Sequence, residues 1–370
     1  MNDMGNANDS SRRRLRVAVL LAFGAGALAA GAVWRREIRA LADSAGAYVR
    51  KRAVVNNPVL IINRWSGDGK AEKYGLADEA KRLGIATVML ERGDDLVQLA
   101  HDAINSGADA IGMAGGDGSL ALVASVAVER NVPFFCVPVG TRNHFALDLG
   151  LDRDNPMSAL SALSDGEELA IDHGVIGDRF FLNNASFGIY AEAVHKKDYR
   201  GKKASTVASV VEDHEDNPDD RPSLRFVSSD GRQHTTSPLL MVSNNPYVFS
   251  GPPDYGRRTR LDHGVLGVGA FADLPEGTDP ASAKLSDLRG PEEWRTASFR
   301  IESEDEKILA GVDGEALSFD APLTITIKPK ALRVLVPAGT GPGYLPPAQR
   351  RVAKLLDLAE LTLPQIESDQ

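Results

Sequence analysis

The chain has little cysteine and no excess of positive charge, and each shortage excludes a class of protein. Its 370 residues contain one cysteine, so no disulfide can form within the chain. That residue, Cys136, lies in an apolar run and is interpreted as a small core residue. The net charge of -9 argues against a general nucleic-acid binder. With 43% hydrophobic residues and no internal repeat, the chain is long enough for two ordinary domains with packed cores.

Long uncharged runs are also scarce, and the run that could span a membrane is close to the N-terminus. Residues 17–34 carry no charge and are flanked by arginines, but the run is near the short end for a membrane span. A single membrane anchor is the favoured interpretation. A twin-arginine-like export signal and a soluble alanine-rich helix are the alternatives. Residues 1–16 are predicted to be disordered, and residues 35–56 to form a basic linker helix that can meet anionic lipid.

The central stretch of the sequence combines two apolar runs with two glycine turns. The first run, residues 110–114, is followed by Gly115-Gly116-Asp117-Gly118-Ser119 and then by a helical pattern. The second run, residues 134–137, is followed by Gly140-Thr141-Arg142-Asn143. This order of strand, turn, helix, strand and turn is typical of a parallel α/β unit.

The glycines of the first turn are suited to binding a phosphate group. Side chains at these positions would keep a polyphosphate away from the backbone N–H groups at the start of the helix, which is a natural anion site. A tight βα turn without any ligand is the alternative for this motif taken alone. The second turn favours the binding interpretation, because two such turns at neighbouring strand ends form a crevice where ligands of open α/β sheets bind.

The remaining pattern divides the chain into an α/β half and a β-rich half. Residues 57–168 are predicted to form a three-layer α/β nucleotide-binding domain, which opens with a short buried strand ending at Asn63. Residues 169–337 read as many short strands with turns between them, which predicts an antiparallel β-sandwich-like domain. Residues 338–370 form a proline-rich and then helical tail.

The two glycine turns together resemble the diacylglycerol kinase catalytic domain family, which includes bacterial lipid kinases and sphingosine kinases. They do not form a Walker P-loop, since no Gly-Lys-Ser/Thr ends the first turn. The resemblance covers about residues 57 to 337 and implies ATP and Mg²⁺ as cofactors. It also implies these nucleotide-binding residues: Asn63, Ser66, Gly67, Gly115, Gly116, Asp117, Gly118, Ser119, Gly140, Thr141 and Asn143. The proline that the family carries after its asparagine is Arg64 here.

Candidate catalytic residues lie in a late turn, Gly311-Val312-Asp313-Gly314-Glu315. An ordinary Asp-Gly hairpin turn is the alternative interpretation of this motif. The resemblance implies that Glu315 accepts the proton of the acceptor hydroxyl, and that Asp313 shapes the metal and water network. Asp117 either holds its turn by accepting backbone N–H bonds or orients metal-bound phosphates.

One departure from the family concerns a metal. The family has an acidic residue before the glycine of a Leu-Asp-Asp-Gly run, where it helps to bind magnesium. Here the run is Arg260-Leu261-Asp262-His263-Gly264, and histidine is a poor magnesium ligand. Either Asp262 substitutes as the metal ligand or this accessory site is absent.

These features predict an ATP-dependent kinase of a lipid alcohol at the cytoplasmic face of the membrane. Its partner is then a lipid substrate at the membrane surface rather than a nucleic acid, and a homodimer is left open. A kinase of a soluble substrate such as NAD is the second hypothesis. A catalytically inactive nucleotide- or lipid-binding protein is the third. ATP turnover with and without lipid vesicles discriminates between them.

Overall fold

A computed structural model describes residues 48, 50–196, 224–228, 231–235, 239–247, 257–271 and 292–342. The predicted anchor, most of the linker and the tail beyond residue 342 lie outside these ranges. Among the residues described, no helix is long and apolar enough to cross a membrane.

The helices are concentrated in the first half of the described chain and the strands in the second. The helices are α1 (Lys70–Lys73), α2 (Leu76–Arg82), α3 (Leu96–Asn105), α4 (Asp117–Glu129), α5 (His144–Asp148), a 3-10 helix (Pro156–Leu163) and α6 (Ile189–His195). The strands are β1 (Lys51–Arg52), β2 (Pro58–Ile62), β3 (Ala86–Met89), β4 (Ala110–Gly115), β5 (Phe134–Pro138), β6 (Glu167–Ile176), β7 (Arg179–Phe181), β8 (Asn184–Gly188), β9 (Leu224–Val227), β10 (Gln233–Thr235), β11 (Leu239–Asn244), β12 (Leu266–Phe271), β13 (Glu292–Thr296), β14 (Ser298–Ser303), β15 (Lys307–Val312), β16 (Glu315–Asp320) and β17 (Leu323–Val336).

The first half is a parallel sheet covered by helices, as predicted. Strands β3, β2, β4 and β5 pair in that order and all run parallel. Strands β2, β4 and β5 are buried along their whole length, which explains why they read as continuous apolar runs. Asp95 accepts the backbone N–H groups of Val97 and Gln98 at 2.9 and 3.2 Å, so it caps α3.

The second half is an antiparallel sandwich, which confirms the predicted fold class. Strands β13, β12, β11, β8, β15 and β16 form a six-stranded sheet in that order. A second apolar core lies between this sheet and strands β9, β14 and β17 of the larger sheet. Its members include Phe187, Phe226, Trp294, Phe299 and Ile325. Alternating buried and exposed residues along β14 show one face directed to this core.

The boundary between the halves is not a break in the structure, because one long strand belongs to both. Strand β17 has 14 residues. Its Val334 pairs in parallel with Phe134 of β5, while Leu323 and the residues after it pair with β14. The halves predicted as 57–168 and 169–337 therefore share an eleven-stranded sheet.

The described end of the linker differs from the prediction. The basic helix predicted for residues 35–56 is wrong for residues 50–56, which contain no helix and include β1 paired against β6. The Arg50 guanidinium donates to Glu167 and to the carbonyl of Thr340. Pairing with β6 and these contacts favour an extended segment over a helix here.

Candidate functional site

The first glycine turn lies where β4 ends and α4 begins. Gly116 is the N-cap of α4, a helix of 13 residues that starts at Asp117. Gly116, Asp117, Gly118 and Ser119 are half-buried, in contrast to the buried strand before them. The first N–H groups of a helix have no partner within the helix, and the helix dipole makes this end positive. The turn can therefore bind an anionic phosphate through its backbone.

The second glycine turn is in direct backbone contact with the first. The Gly140 N–H donates to the Gly115 carbonyl at 3.1 Å. A Cβ at Gly140 would be 2.5 Å from Cα of Gly116, so only glycine fits at this position. Asn143 is fully buried and holds the turn, since its Oδ1 accepts the Gly140 N–H and its Nδ2 donates to the Gly140 carbonyl at 2.8 Å. Asn143 is thus a structural residue of the turn, while Thr141 is exposed at its tip.

The turn after β2 completes this edge of the sheet. Asn63 accepts the backbone N–H of Trp65 through its Oδ1 at 3.1 Å, which is an Asx turn. A Cβ at Gly67 would be 2.2 Å from the Val139 carbonyl oxygen, so this turn rests on the second glycine turn. Ser66, which lies between Asn63 and Gly67 in the sequence, is half-buried. The structure therefore gathers the predicted residues of three loops at the carboxyl ends of β2, β4 and β5.

Asp117 connects the first turn to two other parts of the chain. Its carboxylate accepts the N–H groups of His144 and Phe145, at 3.2 and 3.1 Å, at the start of α5. It also accepts from the side-chain amide of Asn183 at 3.3 Å. Of the two roles open from the sequence, the backbone contacts support the one in which Asp117 holds the turns together.

The Asp-Gly turn between β15 and β16 is a two-residue hairpin loop. Asp313 and Gly314 both have positive φ angles, 47° and 84°, as a type I′ turn requires. The Asp313 carboxylate accepts the N–H groups of Leu182, Asn183 and Asn184 at 2.7, 2.8 and 3.1 Å. Burial raises the pKa of Asp313 to about 7, although the three N–H groups favour the charged form.

Glu315 follows this turn and lies against the first glycine turn. An ideal Cβ on Gly118 would be 2.8 Å from Oε1 of Glu315. The other oxygen, Oε2, accepts from the Arg179 guanidinium at 2.8 Å. The Glu315 side chain is 34% exposed, so it borders both the turn and solvent. The tertiary structure thus brings the predicted base to the predicted phosphate site, and glycine at position 118 makes room for it.

Three residues of this site were not predicted from the sequence. Arg179 orients Glu315. Asn183 links Asp117 to Arg258, because its Nδ2 donates to Asp117 and its Oδ1 accepts from Nη2 of Arg258 at 2.8 Å. Arg258 is fully buried and pairs with Asp148 of α5 at 2.6 Å. Nothing local distinguishes Arg258 from the exposed arginines of the chain, so only its tertiary contacts show its role.

The residues at the three turns fit a magnesium ion only if a nucleotide brings it. Magnesium in phosphoryl-transfer sites is held by one or two carboxylates together with substrate phosphates and water. Among the described residues, no three acidic, histidine or cysteine side chains group as a metal site. Asp117 and Glu315 are the carboxylates beside the first turn. The predicted ligand Asp262 lies elsewhere, in contact with Arg260.

Three comparisons with known proteins agree with this arrangement. Residues 57–176 match the model of the diacylglycerol kinase catalytic domain. A diacylglycerol kinase of Mycobacterium tuberculosis is 32% identical over 132 residues, which cover 35% of this chain and 43% of that protein. A diacylglycerol kinase of Staphylococcus epidermidis is 33% identical over 151 residues, which cover 38% and 44%.

The fold itself extends over more of the chain than these matches. The crystal structure of a putative diacylglycerol kinase from Bacillus anthracis superposes with a TM-score of 0.57. The superposition covers 77% of this chain and 98% of that one, at 18% identity. The likeness therefore supports the architecture of both halves, whereas the matching in sequence spans less than half the length of the curated relatives.

Proposed function

We propose that this chain transfers the γ-phosphate of ATP to a lipid hydroxyl. The premise is that, through its residues 57–176, the chain belongs to the diacylglycerol kinase catalytic domain family. The acceptor is a diacylglycerol-like alcohol presented at the cytoplasmic face of the membrane. The contact between Glu315 and Gly118 carries the proposal, because it joins a carboxylate to a phosphate-suited turn.

The proposed reaction divides the work among the turns and the carboxylates. The backbone of the first and second turns binds the β- and γ-phosphates, with magnesium neutralising their charge when the nucleotide is bound. The acceptor oxygen forms a bond to the γ-phosphorus as the bond to the bridging oxygen breaks, which releases ADP. Glu315 takes the hydroxyl proton, because an alcohol is a poor nucleophile at neutral pH while it keeps that proton.

Arg179 and Asp313 position this base. The hydrogen bond from Arg179 fixes Oε2 of Glu315, which leaves Oε1 beside Gly118 as the proton acceptor. Asp313 anchors the backbone at residues 182–184 to the hairpin that carries Glu315. The base therefore approaches the nucleotide turn from a rigid hairpin.

Replacing Glu315 tests the proposal directly. Glu315→Gln keeps the size of the side chain and removes its basicity, so transfer of labelled phosphate into a mixed lipid extract should fall by about 100- to 10,000-fold. ATP binding measured by calorimetry should persist, because the phosphate turns are untouched. Glu306→Gln, on an exposed turn of the same half, is the matched control.

Other outcomes discriminate among the alternatives. A loss of less than about fivefold would mean that Glu315 is not the base. Phosphate transfer to NAD but not to lipid would indicate a soluble acceptor. ATP binding without turnover on any acceptor would indicate a binding protein.

A further inference from the structure

The segment Arg260–Gly264 has a single carboxylate, Asp262, and that carboxylate is already paired with a cationic side chain. Asp262 accepts two hydrogen bonds from Arg260, Nε to Oδ1 and Nη2 to Oδ2, both at 2.7 Å. The side chains are 6% and 16% exposed, respectively. A two-point contact between guanidinium and carboxylate uses both oxygens. The donor set of this segment therefore does not fit a divalent ion.

Tyr48 fixes this ion pair from the N-terminal side of the chain. Its ring lies 4.9 Å from the Arg260 guanidinium carbon, which is a cation–π contact. Its hydroxyl accepts the Leu261 N–H at 2.6 Å, and the residue is 7% exposed. The tyrosine therefore holds both the side chain of Arg260 and the backbone that follows it.

Protein groups also hold the rest of the segment. The His263 N–H donates to Oδ1 of Asn245 at 3.0 Å, and the Gly264 N–H donates to Oδ2 of Asp172 at 2.7 Å. The Asp172 N–H in turn donates to the Leu261 carbonyl at 2.6 Å. Asp172 and Asn245 are fully buried. Of the backbone groups named here, only the Leu261 carbonyl could bind a cation, and it is already paired.

We propose that Tyr48, Arg260 and Asp262 form a metal-independent clasp, in which the guanidinium replaces a divalent cation in holding the segment 260–264. The arginine carries a permanent positive charge near neutral pH, so the clasp does not need magnesium. The experiment on the clasp measures the stability of the chain without nucleotide. Its failure is therefore distinguishable from failure of the proposed kinase activity.

Thermal unfolding of the nucleotide-free, full-length chain in mild detergent tests the clasp. The melting temperature in EDTA and in millimolar magnesium should agree to within about 1 °C, since the segment 260–264 offers the ion no site. Arg260→Ala should lower it by about 3 °C or more in both conditions, because it leaves the Asp262 carboxylate unpaired. Tyr48→Phe should give a smaller loss of the same kind.

Arg300→Ala is the matched control, as Arg300 pairs with Glu302 at the same spacing but on an exposed strand.

Two results would overturn the clasp. The first is a rise of several degrees with magnesium in the wild-type chain that Asp262→Asn abolishes, since Asp262 would then be a metal ligand. The second is an Arg260→Ala variant as stable as the control. A magnesium effect that survives Asp262→Asn would come from an ion bound elsewhere, and the clasp would stand. Where Arg260→Ala does not fold, Arg260→Lys keeps the charge without the two-point contact and is expected to lose part of the stability.

Discussion

Asp313 is a residue on which burial and hydrogen bonding act in opposite directions. Three backbone N–H groups favour its carboxylate, while burial and the negative charge of Asp117 disfavour it, and burial dominates. The result is a pKa of about 7 against an ordinary value of 3.8.

This shift has a definite sign in the pH dependence of stability. Between pH values of about 4 and 7, the folded chain keeps a proton on Asp313 that the unfolded chain releases, so the free energy of unfolding falls as pH rises. Asp313→Asn, which tolerates the positive φ angle, should make the curve flatter between about pH 4 and pH 7. Urea denaturation at each pH measures this difference. Parallel curves for the variant and the wild-type chain would contradict it, and Asp305→Asn on an exposed turn is the control.

At the scale of elements, the short helix α5 is placed by contacts with charged side chains rather than by its own sequence. It has five residues and lacks a side-chain cap from its N-cap residue. Asp117 accepts its first N–H groups, and Asp148 near its end pairs with Arg258. Arg258 also donates to the carbonyls of Leu182 and Asn244 at 2.6 and 2.8 Å. One side chain thus ties α5 to the β-rich half.

Breaking this pair should cost more than any surface pair. Arg258→Met leaves the Asp148 carboxylate buried and unpaired, so the free energy of unfolding should fall by about 3 to 5 kcal/mol. The double variant Arg258→Met with Asp148→Leu should recover part of the loss, because no buried charge remains. Arg82→Met, which removes the exposed pair with Glu79, should leave stability nearly unchanged. If Arg258→Met behaved like Arg82→Met, the pair would have no structural role.

At the scale of the whole molecule, the described fold begins earlier than the catalytic family model does. Tyr48 packs against Arg260, and β1 pairs with β6, so Tyr48 and residues 50–52 belong to the folded body. The predicted anchor at 17–34 precedes them by a short linker. A shortened chain that tests the anchor must therefore keep these residues.

Cell fractionation tests the proposed membrane attachment. The full chain should stay in the membrane fraction in high salt, because an apolar span is not released by screening charges. A chain that begins at Ala47 should be found in the soluble fraction with its fold intact. Equal solubility of the two would rule out the anchor. A mature form lacking the first thirty or so residues would indicate export instead.

The sequence by itself determined the features that depend on neighbouring residues. The apolar runs of β2, β4 and β5, the glycines of the turns and the Asp-Gly hairpin are all visible within a few positions. Strand length, turn angles and capping arise from local sterics and hydrogen bonding. This is why the fold class and the positions of the turns could be predicted.

Only the tertiary structure decided which of these features meet. The contact of Glu315 with Gly118, the bonds from Asn183 and α5 to Asp117, the burial of Arg258 and the sharing of β17 all join distant segments. A charged residue has the same sequence signature whether it is buried or solvated. Its environment depends on chain packing far from it, because burial and pairing, and not residue type, set the energy of a charge.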